Sequence, residues 1–407
     1  MEFLDLFGLI QLMPVTSLLA GMFYVSAILF LLVPAVHRWL MARLVMPTPT
    51  SQSQVGGLDA LRGLAALFIA CFHTWQWNQP FFDMNSILTP FLTLGAKAVP
   101  FFVVLSGFLI WRAAKKITNI QELRGYTANR FLRVGPLYLV TIMVAALAGT
   151  MAADPHPAQR FVAELLFLPT IGFPNISNPP MWSLFPEIVF YAFAPILAAI
   201  QPAKPGKRIF ALVIVFLVLA ITDYEAARSY GLAKYFAIGI LASEINDAWK
   251  SDRPFLGIVV FAFGCVLLWL EFNEQNWFKV AIETAQPFIK VIHKEPTFTG
   301  GLGVTACLLV LGIAKSKMFN SFFSSAPLRI LGVISYGVFM WHGLILMADF
   351  PLIIQPNGRI LLSNPVQSFA PWWAIYAISI PAYIAAGAMS FLLIERRFLL
   401  RKVHIKH

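Results

Sequence analysis

Charged residues and cysteines are both scarce in this sequence. Charged side chains make up 12% of the 407 residues and hydrophobic ones 59%, whereas an ordinary soluble domain has about 25% and roughly 45–50%. A soluble globule could not bury so much apolar surface. The cysteines, Cys71, Cys265 and Cys307, stand singly in apolar stretches without a CxxC spacing. The sequence therefore indicates neither a zinc ribbon nor a disulfide framework, and no metal site is predicted.

Acids are also few, and the net charge is +11. In a soluble protein this balance would favour a nucleic-acid partner. Here the Lys and Arg residues are confined to short connections between apolar stretches, which is how membrane topology is encoded. We therefore expect the lipid bilayer, with its anionic headgroups, to be the partner of this charge, and no nucleic acid.

Apolar windows long enough to cross a bilayer recur along the whole chain. A hydrocarbon core of about 30 Å requires about 20 apolar residues in a helix. A short re-entrant or interfacial helix is also predicted, at 161–169. The predicted spans lie at 16–36, 58–77, 91–111, 131–151, 182–200, 208–223, 230–247, 254–271, 298–314, 328–349 and 371–394.

Most of the 30 Lys and Arg residues fall on one side of these spans, including those of the tail RRFLLRKVHIKH. The positive-inside rule then places the N-terminus outside and the C-terminus in the cytoplasm. The acidic start MEFLDLF differs from the basic start of a cleavable signal peptide, so we expect the first span to be retained. In this topology Arg62 lies near the inner surface.

Arg62 and His73 form the most informative pair of ionisable residues. Eleven residues make about three helical turns, so both side chains share one face, roughly 16 Å apart along the axis. Acyl-coenzyme A has a matching extended shape, because Arg62 can bind phosphate through its guanidinium fork while His73 acts as general base near neutral pH. A snorkelling arginine and a packed core histidine would show the same spacing, and spacing alone does not separate the two interpretations.

The donor site is predicted to include Ser106, Arg130 and Arg133. Ser106 interrupts the apolar run of FFVVLSGFLIWRAAKK, where small residues also permit close helix packing. Arg130 and Arg133 stand one turn apart at the predicted start of the next helix, where they can grip phosphates beside Arg62. Arginines at the inner surface equally satisfy the positive-inside rule, so both interpretations stay open.

The segment PPMWSLFPEIVFYAFAP places Glu187 in the first turn of a predicted helix. The helix dipole alone favours a carboxylate there. Partial burial among aromatic residues would also suit Glu187 to orient His73 or to handle an acceptor hydroxyl. Trp182 and Ser183, just before it, are candidates for substrate binding.

A further predicted span, LRILGVISYGVFMWHGLIL, contains Tyr336 and His342. Ionisable groups inside a bilayer cost free energy unless they are paired or hydrated, so each is a functional candidate. Tyr336 and His342 are therefore candidates for binding the substrate or the acyl donor. A histidine among aromatic residues is more often a hydrogen-bonded part of the core.

In this order, the four segments resemble the motifs of the acyltransferase 3 family of multi-pass membrane acyltransferases. LDALRG, with ten residues between its arginine and a histidine, is similar to the opening motif, and FFVVLSGFLI, RFLRVGPLYL, WSLFPEIVFY and ISYGVFMWH are similar to later ones. The resemblance covers residues 56–397. It implies an all-α integral membrane protein with a ten-helix acyltransferase core, preceded here by one extra N-terminal transmembrane helix.

The resemblance also implies a reaction. Family members transfer an acyl group, usually acetyl from acetyl-CoA, to a hydroxyl of a carbohydrate such as lipopolysaccharide or exopolysaccharide, in a bacterial inner membrane. Acetyl-CoA is then a co-substrate, and no tightly bound cofactor is expected. The essential arginine, histidine and glutamate of the family correspond to Arg62, His73 and Glu187, although Pro186 and Ile188 depart from the family pattern beside the glutamate.

We expect three parts: an extra helix and cytoplasmic linker at 1–50, the acyltransferase domain at 51–397 and a basic cytoplasmic tail at 398–407. A secondary transporter or flippase for an envelope precursor is the alternative function, since many spans with scattered charges fit it too. Such transporters commonly show paired repeats, and this sequence shows none. A membrane scaffold without enzymatic activity would not need ionisable groups inside the bilayer.

Overall fold

The computed structural model shows an all-α integral membrane protein. The extra helix predicted at 16–36 lies outside the described residues. So does the end of the basic tail, at 402–407. The structure describes residues 43–44, 56–77, 89–148, 156–167, 178–221, 230–250, 254–272, 301–349, 352–354, 360–362 and 372–401.

The described α-helices follow one another with short breaks. In chain order they are α1 (Gly56–Trp77), α2 (Thr89–Ala114), α3 (Ile120–Leu147), α4 (Pro157–Leu165), α5 (Leu184–Ile200), α6 (Pro205–Ile221), α7 (Ala233–Ala248), α8 (Pro254–Phe272), α9 (Gly301–Lys315), α10 (Lys317–Phe323), α11 (Ala326–Asp349), α12 (Trp372–Ser390) and α13 (Arg396–Leu399).

Shorter elements join or flank these helices. Turns of 3₁₀ helix at Pro179–Ser183 and Tyr230–Leu232 precede α5 and α7, and a π-helical turn at Phe391–Glu395 links α12 to α13. An antiparallel pair of short strands, Leu352–Ile354 with Ile360–Leu362, follows α11. The sequence analysis did not predict this hairpin.

A helix lies at every predicted span from the second onward, and α4 is the short helix predicted at 161–169. Within the described residues, six helices are long and apolar enough to cross a membrane, or seven if α9 and α10, bent by 99°, count as one span. The apolar helix Phe255–Leu270 is shorter. The membrane class is therefore confirmed, and the count of ten core helices stays a prediction.

The largest boundary error is at α3, which begins at Ile120 rather than near 131. Asn119 caps this helix, since its side chain accepts a hydrogen bond from the Glu122 amide at 2.9 Å. The Glu122 carboxylate in turn accepts one from the Thr118 amide at 2.6 Å. This cap starts a polar extension of the helix that hydropathy does not detect. Arg130 and Arg133 therefore lie inside α3 and not at its start.

Large apolar side chains are exposed on several helices, which suits contact with lipid. Such a surface would be a liability in water but is expected at a bilayer. Examples on α5, α6 and α8, each 54–73% exposed, are Phe193, Ile200, Phe210, Phe255 and Trp269.

Close approach of α1 and α11 forms the centre of the described core. A methyl group on Gly63 would lie 2.5 Å from the carbonyl carbon of Leu331, and one on Gly332 would meet the Asp59 carbonyl. Small residues permit such a crossing inside a membrane. Ten residues further along each helix, His73 meets His342. The two helices therefore run parallel, side by side over about 15 Å.

A second close crossing joins α2 to α7. A methyl group on Gly107 would lie 2.7 Å from the Phe236 carbonyl oxygen, and one on Gly239 would collide with the Val104 carbonyl. The interpretation of Ser106-Gly107 as a packing site for a neighbouring helix is confirmed for the glycine. This contact fixes the height of the adjacent Ser106 within the bundle.

The ends of α2, α6 and α7 are joined by a network of paired charges. The Glu244 side chain is 1% exposed, and its Oε1 accepts hydrogen bonds from Trp111 Nε1 at 2.7 Å and Lys115 Nζ at 2.6 Å. Its Oε2 accepts one from Arg208 Nε at 2.8 Å. Lys115 also pairs with the more exposed Asp247 at 2.7 Å. Every charge in this network has an opposite partner.

Candidate active site

A cleft lies between α1, α2, α3, α5 and α11. Five residues singled out from the sequence line it, and they come from widely separated segments. These are Arg62, Arg133, Ser183, Glu187 and Tyr336. Aromatic rings of Phe102, Tyr191 and Phe339 complete the wall. The fold thus brings basic, acidic and hydroxyl groups together at one concave site.

Neither arginine of the cleft forms a salt bridge within the described part of the chain, although Arg133 lies close enough to the buried Glu395 to interact with it electrostatically. Arg62 Nε is buried without a hydrogen bond, and the guanidinium lies 5.2 Å from the Phe102 ring centroid. Glu187 lines the same cleft but forms no ion pair with Arg62 or Arg133 among the described residues. Uncompensated charge in a bilayer protein is costly. This arrangement suits an anionic ligand.

Glu187 is 5% exposed and is fixed by two hydroxyl groups. Its Oε1 accepts hydrogen bonds from Ser106 Oγ at 3.0 Å and from Tyr191 OH at 2.7 Å. Ser106, predicted to bind the donor, therefore contacts the carboxylate instead. Tyr191 was missed by the sequence analysis, although its position one turn after Glu187 on α5 was a usable signal.

The remaining aromatic and basic candidates lie at or near the cleft. Tyr336 OH donates to the Val134 carbonyl at 2.9 Å, so its hydroxyl is used in joining α11 to α3. The Arg130 guanidinium lies 5.4 Å from the Tyr191 ring centroid, at the margin of the cleft. Trp182 packs against the hydrophobic cluster formed by α2, α7 and α9. A role for it in substrate binding stays a prediction.

His73 and His342 form a directly hydrogen-bonded pair further along α1 and α11. His73 Nδ1 lies 2.9 Å from His342 Nε2, and His342 is fully buried. The Phe339 ring lies 5.8 Å from the His342 ring and 6.1 Å from Phe102. Phe339 thus separates the histidine pair from the arginine end of the cleft.

The hypothesis that Glu187 orients His73 is wrong in this structure. The hydrogen bonds of Glu187 go to Ser106 and Tyr191, and the imidazole partner of His73 is His342. Glu187 therefore acts within the cleft, where a handling role toward an acceptor hydroxyl stays open to it. Among the described residues, no group of three His, Cys, Asp or Glu side chains is placed to hold a metal ion.

The family model described as "Acyltransferase domain" matches residues 55–391 of the chain. This protein belongs to that family. The match includes every candidate residue of the cleft and the histidine pair. The resemblance found in the sequence motifs is thereby confirmed. No solved structure matches it.

Three bacterial proteins are among the curated relatives of this chain. It is 32% identical to the acyltransferase MdmB of Streptomyces mycarofaciens over 178 residues, which cover 40% of this chain and 43% of MdmB. It is 24% identical to the peptidoglycan O-acetyltransferase OatA of Listeria monocytogenes, over 76% of this chain and 52% of OatA. The chain thus spans about half the length of these two proteins.

A third relative is matched over most of its length. The exopolysaccharide production protein ExoZ of Rhizobium meliloti is 27% identical, over 72% of this chain and 88% of ExoZ. None of the three is named as a transporter. The alternative of a secondary transporter or flippase stays a prediction, and the cleft is the candidate functional site.

Proposed function

We propose that this acyltransferase moves an acetyl group from acetyl-CoA onto a hydroxyl of a carbohydrate acceptor in a bacterial inner membrane. The main support is that Arg62 and Arg133 line one cleft and form no salt bridge among the described residues, with His73 on the same helix as Arg62. The names of OatA and ExoZ refer to peptidoglycan and exopolysaccharide, which favours a carbohydrate acceptor.

Donor binding follows from the charge of the cleft. The phosphates of acetyl-CoA are held by Arg62 and Arg133, with Arg130 at the margin, through charge-assisted hydrogen bonds. From Arg62 to His73 the distance along α1 is roughly 16 Å. An extended donor anchored at Arg62 therefore brings its thioester to His73. The charge bias of the loops places the donor end of this path at the cytoplasmic surface.

The chemistry requires a base for the acceptor hydroxyl. In direct transfer, His73 takes the hydroxyl proton while the hydroxyl oxygen attacks the thioester carbonyl, the C–S bond breaks, and the proton returns to the departing coenzyme A thiolate. In a relay, the His73 Nε2 attacks the thioester carbonyl, the C–S bond breaks and coenzyme A leaves as a thiolate. The acceptor hydroxyl oxygen then attacks the acetyl carbonyl, the C–N bond to His73 breaks, and the hydroxyl proton balances the charge of the thiolate. Ping-pong kinetics indicate the relay, and a ternary complex indicates direct transfer.

Glu187 has a role on the acceptor side in this proposal. Its carboxylate is held by Ser106 and Tyr191, so its position is fixed before a substrate arrives. A fixed acceptor of hydrogen bonds binds a substrate hydroxyl in the cleft at little cost in entropy. The outer segments 78–90, 152–181 and 272–297 select the sugar, because loops carry specificity over a constant scaffold.

The test is transfer of radiolabelled acetyl from acetyl-CoA by the purified protein in lipid nanodiscs, with peptidoglycan and exopolysaccharide fragments supplied as acceptors. We expect labelled acceptor from the wild type and a loss of about 10²-fold or more in His73→Ala. The variant Arg397→Gln, which removes an exposed charge from α13, serves as the matched surface control. A wild type that neither binds nor hydrolyses acetyl-CoA, or an active His73→Ala, would contradict the proposal.

A further inference from the structure

The hydrogen bonds of His342 determine which of its nitrogens carries the proton. Its Nδ1 lies 3.2 Å from the Val338 carbonyl oxygen, one turn earlier on α11. A carbonyl oxygen only accepts hydrogen bonds, so Nδ1 is the protonated nitrogen. In a neutral imidazole the other nitrogen is then an acceptor. His342 Nε2 therefore accepts a hydrogen bond from His73 Nδ1 across the 2.9 Å contact.

The surroundings favour the neutral form of His342. The residue is fully buried, and its ring is bordered by Phe339 and, edge-on, by Tyr383. Within the described helices, no carboxylate forms a hydrogen bond or an ion pair with His73 or His342. A cationic imidazole at this depth would lack compensation, and burial penalises it.

The geometry of the contact is that of a hydrogen bond in the plane of both rings. The rings are within 7° of parallel and their centroids are 5.2 Å apart, while the two nitrogens are 2.9 Å apart. The difference corresponds to about two imidazole ring radii, so the nitrogens lie on the line that joins the centroids. His73 and His342 are therefore coplanar, and the lone pair of one nitrogen points at the proton of the other.

We propose that His342 is a positioning residue that holds His73 in the tautomer with its proton on Nδ1. The lone pair of His73 is then confined to Nε2, for which no hydrogen-bond partner exists among the described residues. This inference rests on the proposed function of His73 and applies to both the direct and the relay route, because either one needs that lone pair. In Ser-His-Asp enzymes a buried carboxylate fixes the tautomer; here an imidazole does so.

The imidazole partner has a physical advantage at this site. A carboxylate in its place would bring a negative charge into the bilayer, whereas His342 is neutral. When His73 gains a proton on Nε2, its Nδ1 proton still has an acceptor, so the positive charge is stabilised without a permanent counter-charge. The pair needs only the parallel packing of α1 on α11 to form.

A kinetic test compares His342→Gln with His342→Leu. The carbonyl oxygen of glutamine reaches the place of Nε2 and can accept from His73, whereas leucine has similar size and no acceptor. We expect His342→Leu to lose about 10²-fold in kcat while the KM for acetyl-CoA stays within about threefold. His342→Gln should stay within about tenfold of the wild-type kcat. Equal losses in both variants, or a loss confined to KM, would overturn the proposal; the latter indicates substrate binding.

A spectroscopic test is independent of activity. The chain contains 7 histidines, and ¹⁵N-histidine labelling with His73→Gln as the difference sample identifies the His73 signals in nanodiscs. At neutral pH we expect a protonated Nδ1 and a bare Nε2 in the wild type, and a mixture of tautomers in His342→Leu. A wild-type His73 that is cationic, or protonated on Nε2, would overturn the inference. If this tautomer is found but no acyl transfer occurs, the proposed function fails and the pairing stands.

Discussion

Two groups of charged residues in this protein differ in whether their members form ion pairs with each other. At the ends of α2, α6 and α7, the buried Glu244 has hydrogen bonds from Lys115, Arg208 and Trp111. In the cleft, Arg62 and Glu187 line one space and form no ion pair with each other among the described residues. The first group is paired within the protein. In the second, Glu187 has hydrogen bonds from hydroxyl groups only, and Arg62 forms no salt bridge among the described residues.

The paired charges of the Glu244 network contribute to stability, whereas the charges of the cleft contribute to ligand binding. A buried ion pair that is fully hydrogen-bonded holds its helices together, and loss of one partner leaves a buried charge uncompensated. Charges without a protein partner contribute little to the folded state and instead lower the free energy of a bound ligand of opposite sign. Substitutions in the Glu244 network should therefore lower stability and leave activity near that of the wild type. Substitutions in the cleft should lower activity and leave stability nearly unchanged.

The largest expected effect on stability is at Glu244. The variant Glu244→Ala should lose about 3 kcal/mol or more of folding free energy, because Lys115 and Arg208 lose their common partner. Acyl transfer per folded molecule should stay near that of the wild type. Thermal unfolding in nanodiscs measures the first, and transfer rates at equal folded concentration measure the second. The matched control is Asp247→Ala, which removes an exposed acid and should cost less than about 1 kcal/mol.

The next effect is on catalysis, at Glu187. Glu187→Gln keeps an oxygen that accepts from Ser106 and Tyr191, so the fold should be retained while kcat falls about 10²-fold through loss of the negative charge. Initial rates at saturating acetyl-CoA check this. Asp59→Asn, the same chemical change at an exposed position of α1, is the control and should leave kcat unchanged. A Glu187→Gln variant with wild-type kcat would remove the carboxylate from the mechanism.

A smaller effect on donor binding is expected at Arg62. Arg62→Gln should raise the Kd for coenzyme A about tenfold or more, the value of a lost charge-assisted hydrogen bond. The melting temperature should change little, because Arg62 forms no salt bridge and the variant loses only its contact with the Phe102 ring. Binding calorimetry and thermal unfolding on the same sample test both statements. A lower melting temperature with an unchanged Kd would assign Arg62 to structure.

The smallest effect is expected from the hydroxyls that hold Glu187. Ser106→Ala removes one of two hydrogen bonds to Oε1, worth about 1 kcal/mol, and should lower kcat roughly five- to tenfold. Tyr191→Phe removes the other and should behave alike. The double variant should lose more than either single one. A double variant no worse than Ser106→Ala would show that Tyr191 is not part of the support.

The sequence was sufficient to predict the positions of the long helices and half of the residues that line the cleft. Arg62 and Glu187 were found because ionisable groups inside apolar runs are costly and hence rare. Arg133 was found because it stands at a predicted helix start, where it can bind phosphate beside Arg62. Arg130 and Arg133 were placed at a helix start and lie inside α3, since its cap at Asn119 and polar first turns extend the helix beyond the apolar window.

The contacts between distant segments were not predictable in the same way. His73 and His342 are 269 residues apart in sequence, and their pairing depends on the crossing at Gly63 and Gly332. Each glycine predicts the close approach of another helix, but neither identifies which helix that is. The Glu244 network was not predictable for the same reason, because its members come from three helices that only the fold brings together.

The most direct test of the account is the binding of coenzyme A to the purified protein in nanodiscs, measured by calorimetry in three forms. We predict that wild type and Glu244→Gln bind with similar Kd, and that the double variant Arg62→Gln, Arg133→Gln loses binding by about 10²-fold. Unchanged binding in the double variant would contradict the claim that the arginines of the cleft hold the donor.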